Sequence, residues 1–213
     1  MYIPKPFFIT DSAQIDELVL NIRSVDLVSV GSSGEILATL VPFIWQKSEN
    51  SLGSLIMHFS KGNEQWKSIK CGDSGLAIAH GDQSYISPAN YENKVTDRKV
   101  VPTWNYQSIH FSGALRISED VEELREIVTQ LTQFHEKSRP QPWSVNDSDP
   151  TYLEAQLHGI VAVYLDINKV EAKAKMSQNR SVIDRSAIIN DLENSQRLED
   201  QSVAKYMKEL DQS

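Results

Sequence analysis

The chain has 213 residues, a formal net charge of −8 at pH 7 and a pI of about 5.1. Hydrophobic residues make up 40% of it and charged residues 23%, which is the balance of a globular protein with a sizeable core. The acidic balance argues against broad binding to nucleic-acid phosphates, although it leaves room for a local basic patch. No apolar run approaches the roughly 20 residues of a membrane span. Cys71 is the single cysteine, which fits a reducing compartment, so we expect a cytoplasmic protein without a membrane contact.

The first third of the chain predicts one helix followed by three strands. Asp11 is a typical N-cap, and apolar residues recur behind it at helical spacing, which predicts a helix over 12–23. Runs rich in β-branched residues predict an antiparallel meander of three strands at 25–30, 35–45 and 54–59. Pro42 breaks the second strand, because proline has no N–H to donate to a ladder.

The middle of the chain predicts further strands on either side of a long loop. The polar stretch after the meander has room for a short helix at 63–69. Strands are expected at 76–80, 85–87 and 104–118. The segment 88–103 is predicted to be a loop, and a loop of this length in a compact domain is usually functional or lies against a partner.

The last part of the chain predicts helices before and after two strands. Asp120, with Glu123 three residues later, caps a helix predicted over 121–137, and Pro150 begins a shorter helix. Alternating and β-branched residues then predict strands at 160–167 and 169–176. Ser181, with Asp184 three residues later, is a further capping pair, and the charged residues behind it predict a helical C-terminal segment.

These elements define the expected fold class. About seven strands occur with helices between them, and no regular βαβ alternation appears, so a parallel sheet is not expected. The chain is therefore predicted to be mainly β, an antiparallel β-barrel with peripheral helices. We divide it into a barrel domain with inserted helices over 1–180 and a partly exposed helical tail over 181–213.

An aromatic-rich stretch over 81–106 stands out from the rest of the sequence. It carries Tyr85, Tyr91, Trp104 and Tyr106 among prolines and small hydroxyl side chains. Aromatic faces with polar tips, held on rigid turns, suit a planar ligand or a subunit contact. A buried aromatic cluster under a loop would have the same composition, and composition alone favours that interpretation.

Two polar segments carry cations in positions that suit a phosphate group. In the first, Ser60, Lys61 and Gly62 follow a strand, where a hydroxyl, an ammonium and backbone N–H groups could surround a phosphate. In the second, Arg180 follows a basic strand and could bind a phosphate through two N–H groups. An ordinary polar turn, or a surface arginine near a helix cap, would place the same residue types there.

The histidines are scattered: His58, His80, His110, His135 and His158. No HxxxH or HExxH spacing occurs, so we expect no metal site. A single histidine could still ligate haem. The sequence also lacks GxSxG, GxxxxGK[ST] and GxGxxG, which leaves hydrolase and kinase interpretations without support.

Several short segments occur in an order and spacing that is typical of one family. They are 1–4, 38–42, 58–66, 85–88, 101–106 and 175–180. On these segments the chain resembles the PaiB family, whose members are described as FMN-binding negative transcriptional regulators. The resemblance extends over the chain to about residue 190.

The resemblance implies a split β-barrel of the FMN-binding type, usually a homodimer with FMN sites at the subunit interface. By match of motif, one wall of the site would comprise Thr39, His58, Ser60, Lys61, Asn63 and Trp66. Trp104 and Asn105 would complete it, from the same chain or from the partner chain. Where the family has Ala-x-x-Asn-Pro-x-Trp, this chain has Ser60-Lys-Gly-Asn-Glu-Gln-Trp66, so Glu64 would bring a negative charge near the phosphate.

Other functions remain open beside an FMN-binding regulator. A regulatory role through direct contact with nucleic acid fits poorly with the net charge of −8. A flavin-dependent oxidoreductase would use the same site, with His58 as the best candidate for a proton donor. A haem-binding member of the barrel superfamily would use His58 or His110 as a ligand. A dimeric interaction module would keep the fold without a cofactor.

Overall fold

The computed structural model describes residues 1–91 and 100–212, and these contain eight strands and six helices. The strands are β1 (Phe8–Ile9), β2 (Ser24–Val30), β3 (Ile36–Pro42), β4 (Ile44–Ser48), β5 (Ser51–Ser60), β6 (Ser74–Ile86), β7 (Thr103–Ser118) and β8 (Ile160–Lys175). The helices are α1 (Ser12–Asn21), α2 (Gln65–Ser68), α3 (Val121–Glu136), α4 (Pro150–Leu157), α5 (Val182–Glu193) and α6 (Leu198–Gln212). Residues 92–99, half of the predicted loop over 88–103, lie outside the described residues.

The strands form one sheet in the order β3-β2-β6-β7-β8-β5-β4, and β1 pairs with β8 beside this path. The pairs of β2 with β3 and β6, of β5 with β4 and β8, and of β1 with β8 are all antiparallel. The predicted three-stranded meander is wrong in one respect. The strand predicted over 35–45 is two strands, and β3 begins the strand order whereas β4 ends it. The break falls at Pro42 and Phe43, where the ladder of β3 stops.

In two segments the sequence predicts a pair of short strands, and the structure has one long strand. β6 continues through Gly81, where a turn was expected between 80 and 85. A Cβ on Gly81 would fall 2.7 Å from the Gln107 side chain and 3.3 Å from Leu18, so glycine is needed there for close packing. β8 likewise runs unbroken through the position where two strands were predicted.

The predicted helix caps are present. The Asp120 carboxylate accepts a hydrogen bond from the Glu123 N–H at 3.0 Å and begins α3. The Ser181 hydroxyl accepts one from the Asp184 N–H at 3.1 Å and begins α5. Satisfying these N–H groups at the first turn defines where each helix begins.

The chain groups into two compact units, which are described separately. The second unit, residues 22–79 and 110–170, contains β2 to β5 and the helices α2 to α4. Its core includes Leu27, Leu55, Met57, Phe111 and Leu165, which are fully buried. A further apolar cluster covers the buried face of α3: Ile56, Leu124, Ile127, Leu131, Leu157, Ala162 and Tyr164.

The first unit, residues 1–21, 80–109 and 171–213, contains β1 and the helices α1, α5 and α6. The two C-terminal helices bury apolar side chains, among them Ile188, Val203, Ala204 and Met207. The segment after residue 180 is thus helical as predicted, and both of its helices bury residues in this unit. The division into domains at residue 180 stays a prediction.

Candidate functional site

A chain of hydrogen bonds connects β3 to α2 in the second unit. The Asn63 amide donates to the Thr39 hydroxyl at 2.9 Å, and that hydroxyl donates to Oε1 of Gln65 at 2.5 Å. The Gln65 amide in turn donates to the Leu27 carbonyl and the Ser29 hydroxyl, both at 3.0 Å. Gln65 is 3% exposed, so this chain fixes α2 and the preceding turn against β2 and β3.

The turn after β5, residues 61–63, uses its own N–H groups within the protein. The Lys61 N–H donates to the Gly159 carbonyl at 2.9 Å, and the Asn63 N–H donates to the Ser60 carbonyl at 2.9 Å. The Gly62 N–H donates to the Ser60 hydroxyl at 3.2 Å. These amides are therefore already bound, and a phosphate could be held here only by the side chains of Ser60 and Lys61.

The charged side chains of this turn are paired as well. The Lys61 ammonium lies 2.9 Å from the Glu119 carboxylate, and both side chains are partly exposed. Glu64 pairs with Lys67 at 2.7 Å, which offsets the negative charge expected near the phosphate. The Trp66 indole donates to the Lys61 carbonyl at 3.2 Å and so orients its ring against the turn.

His58 is the least satisfied residue of the predicted wall. It lies on β5 opposite Ala162 and is half-buried. Its Nδ1 atom is buried and has no hydrogen-bond partner among the described residues. Burial lowers the pKa of the His58 imidazole below its usual value, so the ring is neutral at pH 7. A neutral imidazole with an unpaired buried nitrogen can exchange a hydrogen bond or a proton with a bound molecule.

The other two predicted site residues lie on β7 in the first unit. Trp104 is 49% exposed and meets Tyr85 edge to face, with 6.1 Å between ring centroids. Asn105 is fully buried; its amide donates to the Met207 sulfur at 3.4 Å, and its carbonyl accepts from the Ser177 hydroxyl at 3.0 Å. Trp104 thus offers a free aromatic surface, whereas Asn105 stabilises the turn in which Ser177 has a φ of 58°.

Six of the eight predicted residues lie in the second unit, on β3, on β5, on the turn after β5 and on α2: Thr39, His58, Ser60, Lys61, Asn63 and Trp66. The structure places Trp104 and Asn105 in the first unit. Sequence reasoning missed Gln65, which organises the hydrogen bonds of Thr39 and Asn63. The Nδ1 atom of His58 and the Lys61 ammonium are groups that a flavin and its phosphate can use, so this wall fits FMN in part, with the phosphate served by side chains.

Comparison with known proteins defines first the class of protein and then the family. A family model described as "Putative FMN-binding domain" matches residues 1–169. The fold and this match define a mainly antiparallel protein of the FMN-binding split-barrel class, as the sequence predicted, with FMN as the cofactor of the family. The chain is also 33% identical over 210 residues to "Protease synthase and sporulation protein PAI 2" of Bacillus subtilis (strain 168), which covers 99% of this chain and 96% of that protein. The chain belongs to the PaiB family.

Solved structures share the fold at low sequence identity. The FAD and haem binding protein from Mycobacterium smegmatis matches with a TM-score of 0.60 and 15% identity, over 84% of this chain and 78% of that one. A "putative 5-nitroimidazole antibiotic resistance protein" from Bacteroides thetaiotaomicron matches with a TM-score of 0.56 and 11% identity, over 78% of this chain and 86% of that one. At these identities the similarity concerns the fold alone. Within residues 1–91 and 100–212, no helix is long and apolar enough to cross a membrane.

Proposed function

We propose that this chain binds FMN along the wall formed by Thr39, His58, Ser60, Lys61, Asn63 and Trp66. The observation that carries the proposal is the buried Nδ1 atom of His58, which has no partner among the described residues. An unsatisfied buried nitrogen costs about 1–3 kcal/mol, and rotation of the half-buried His58 ring towards a bound flavin would let Nδ1 form a hydrogen bond and recover that free energy. Membership of a family described by FMN binding gives the class of ligand.

Each side chain of the wall has a distinct task in this proposal. Lys61 and Ser60 attract the phosphate, since the N–H groups of their turn are already bound. For this, the Lys61 ammonium leaves Glu119, which costs little because a partly exposed ion pair contributes about 0–1 kcal/mol. Thr39 holds the Asn63 amide in place, and Trp66 supplies an apolar face.

FMN titration tests this assignment. We expect freshly purified protein to carry a flavin absorption spectrum or to bind added FMN, and His58→Ala to weaken binding by about tenfold, the effect of one lost hydrogen bond. His80→Ala, a change at an exposed histidine of the other unit, is the matched control. A preparation without flavin that also fails to bind FMN would contradict the proposal.

We propose further that the protein is a homodimer with its FMN sites at the subunit interface. On β3, residues alternate: Thr39 points towards Gln65, whereas Ile36 and Leu40 on the opposite face are 77% and 67% exposed. Val30 pairs with Ile36 and is 57% exposed, which extends the apolar surface onto β2. A second copy would cover this face, and the exposed ring of Trp104 would then serve as a contact from the same or the partner chain.

Light scattering on a sizing column tests the dimer. Ile36→Asp with Leu40→Asp should give a monomer, because two charges in an apolar interface would stay without partners. Leu198→Asp, at a residue that is 75% exposed on α6, should leave the mass unchanged. A monomeric wild-type protein at micromolar concentration would rule the dimer out.

A cytoplasmic regulatory role is the function that we propose for the FMN-bound dimer. It is supported by the PaiB-type relative, whose name refers to protease synthesis and sporulation. The net charge of −8 disfavours regulation through broad contact with DNA. A gel shift at physiological salt, with the promoter of a regulated gene and an unrelated DNA of equal length, separates direct binding from regulation through another partner. No shift with either DNA would exclude direct binding.

Flavin-dependent oxidoreduction is a second candidate, and the state of His58 favours it. FMN supplies hydride and electron transfer when it is bound. His58 is neutral at pH 7, because burial lowers its pKa, so its ring can accept a proton. Oxidation of NADH or NADPH with a panel of acceptors tests this function, and His58→Gln should lower the rate. Absence of turnover with FMN bound would reject it.

A further inference from the structure

A pocket of about 420 Å³ lies within the first unit, among β1, the end of β8, and the helices α5 and α6. This volume is in the range of small-molecule sites, which is about 300–1,000 Å³. Its apolar lining comes from Phe7, Phe8, Ile9, Val182 and Leu210. It shares no residue with the wall proposed for FMN.

One arginine of the pocket, Arg185, is already hydrogen-bonded within the protein. Arg185 is 6% exposed and donates to the Met176 carbonyl at 2.6 Å and to the Asp211 carboxylate at 2.5 Å. A further N–H donates to the Met207 carbonyl at 3.3 Å. Arg185 and Asp211 therefore fix α6 to the end of β8, and as a pair they bring no net charge into the pocket.

The other arginine of the pocket, Arg180, has N–H groups that can bind a ligand. The guanidinium of Arg180 lies over the ring of Tyr91, 4.8 Å from its centroid, and forms no ion pair or side-chain hydrogen bond with any described residue. Stacking covers one face of the guanidinium and leaves the N–H groups in its plane free to bind an anion. An arginine held in this way is pre-organised for a carboxylate.

The surroundings of Arg180 add positive charge without a compensating carboxylate. The Lys173 ammonium donates to the Tyr106 hydroxyl and the Tyr2 carbonyl, and Lys175 donates to Thr103 and to the carbonyl of Trp104. Neither lysine pairs with a carboxylate among the described residues. Burial, and then the charges of Lys173 and Arg180, lower the pKa of Lys175, which places Lys175 within reach of both cations. In a chain with a net charge of −8, this concentration of cations favours an anion.

We propose that the pocket binds a small organic monocarboxylate, with its carboxylate on Arg180 and its apolar body against Phe7 and Ile9. A single free guanidinium matches a single carboxylate in a bidentate pair. The Asp211 carboxylate is already bound by Arg185, which leaves Arg180 as the one cation of the described lining that is free for a carboxylate. The apolar side chains of the lining would contact the organic body of such a ligand, a contribution that an inorganic anion on Arg180 lacks.

Fluorine NMR with 4-fluorobenzoate as the probe tests the site on the full chain. We expect saturable binding by the wild type and binding at least about tenfold weaker by Arg180→Gln, the effect of a lost charged hydrogen-bond pair. Arg197→Gln is the matched control, because the side chain of Arg197 is 70% exposed and lies outside the pocket. Ala174→Leu, which adds volume at a residue of the pocket lining and keeps Arg180, should weaken binding as well, and thermal melting checks that each variant is folded.

Several outcomes would overturn the proposal. The first is that 4-fluorobenzoate does not bind at 10 mM, roughly the weakest affinity of interest. The second is that a folded Arg180→Gln or Ala174→Leu variant binds the probe as the wild type does. The third is that 4-fluorobenzylamine or inorganic phosphate binds as tightly as 4-fluorobenzoate. Displacement of the probe by stoichiometric FMN would also overturn it, because the pocket would then belong to the flavin site. Probe binding by a protein that fails to bind FMN would support the pocket and reject the proposed function alone.

Discussion

Two turns of this protein carry similar residues and use them differently. The β5 turn, residues 61–63, and the β8 turn, residues 176–180, each follow a long strand and each contain a cation beside small polar residues. In the β5 turn the Lys61 ammonium pairs with Glu119 at 2.9 Å. In the β8 turn the Arg180 guanidinium stacks on Tyr91 and has no carboxylate partner among the described residues. Residue type alone therefore does not reveal which cation is free to bind an anion; the neighbouring carboxylates decide.

The two turns also differ in what stabilises their backbone. The β5 turn is followed by α2, which the buried Gln65 amide fixes to β2 and β3. The β8 turn contains Ser177 at a φ of 58°, a left-handed conformation that costs a non-glycine residue about 1 kcal/mol. The Ser177 hydroxyl donates to Asn105 at 3.0 Å and offsets this cost. Substitutions at these supports measure how strongly each turn is held.

Gln65→Ala should have the largest effect on stability. It removes the partner of the Thr39 hydroxyl and of the Leu27 carbonyl and leaves a cavity at a residue that is 3% exposed. We expect the free energy of unfolding to fall by about 2–4 kcal/mol. Urea denaturation followed by circular dichroism measures it. Gln46→Ala, at an exposed residue of β4, is the control, and a similarly small loss for both variants would contradict a central role for Gln65.

The pH dependence of stability tests the burial of His58. Its pKa in the folded protein is lowered from 6.5, so the unfolded chain binds the proton more tightly. The stabilisation is therefore complete above pH 6.5 and is lost as the pH falls below it, by at most about 1.4 kcal/mol per pH unit for one proton. Urea denaturation of the wild type and of His58→Gln between pH 7.5 and 5.5 (about one unit on either side of the reference pKa) measures this. Parallel curves for the two proteins would show that His58 does not titrate in this way.

Paired substitutions at Ser177 separate backbone strain from hydrogen bonding in the β8 turn. Ser177→Ala loses the bond to Asn105 and keeps the strained φ, so we expect a loss of about 1 kcal/mol. Ser177→Gly loses the same bond but adopts this φ without strain, so it should be more stable than Ser177→Ala by about 1 kcal/mol. Thermal unfolding of both variants gives the order. Alanine more stable than glycine would mean that the strain is negligible.

The sequence predicts local structure well where the signal lies in neighbouring residues. The caps at Asp120 and Ser181 define the beginnings of α3 and α5, because each cap bonds an N–H three residues later. The continuity of β6 could not be predicted, because Gly81 resembles a turn residue until the side chain of Gln107 is seen beside it.

The candidate site shows the same limit. The motif that identifies the family contains Asn63 and Trp66; the Asn63 amide donates to the Thr39 hydroxyl, and the Trp66 indole donates to the Lys61 carbonyl. The role of Gln65 has no local signal, because its partners lie on β2 and β3, far away in sequence. The ion pair of Lys61 with Glu119 also has no local signal in the sequence, because Glu119 follows a different strand. Motifs thus indicate which residues form a site, whereas hydrogen bonds and ion pairs across strands decide what those residues can do.

Glu119→Gln is the smallest of the expected changes, and it tests the contrast between the turns directly. It should alter the free energy of unfolding by less than about 0.5 kcal/mol, because the ion pair with Lys61 is partly exposed. It should also free the Lys61 ammonium, so that the β5 turn has an unpaired cation as the β8 turn does. If Lys61 binds the FMN phosphate, FMN affinity should rise about two- to fivefold, and the rise should diminish at high salt. Lys61→Gln should lower the affinity and abolish the gain in the double variant; a gain that persists without Lys61 would place the phosphate elsewhere.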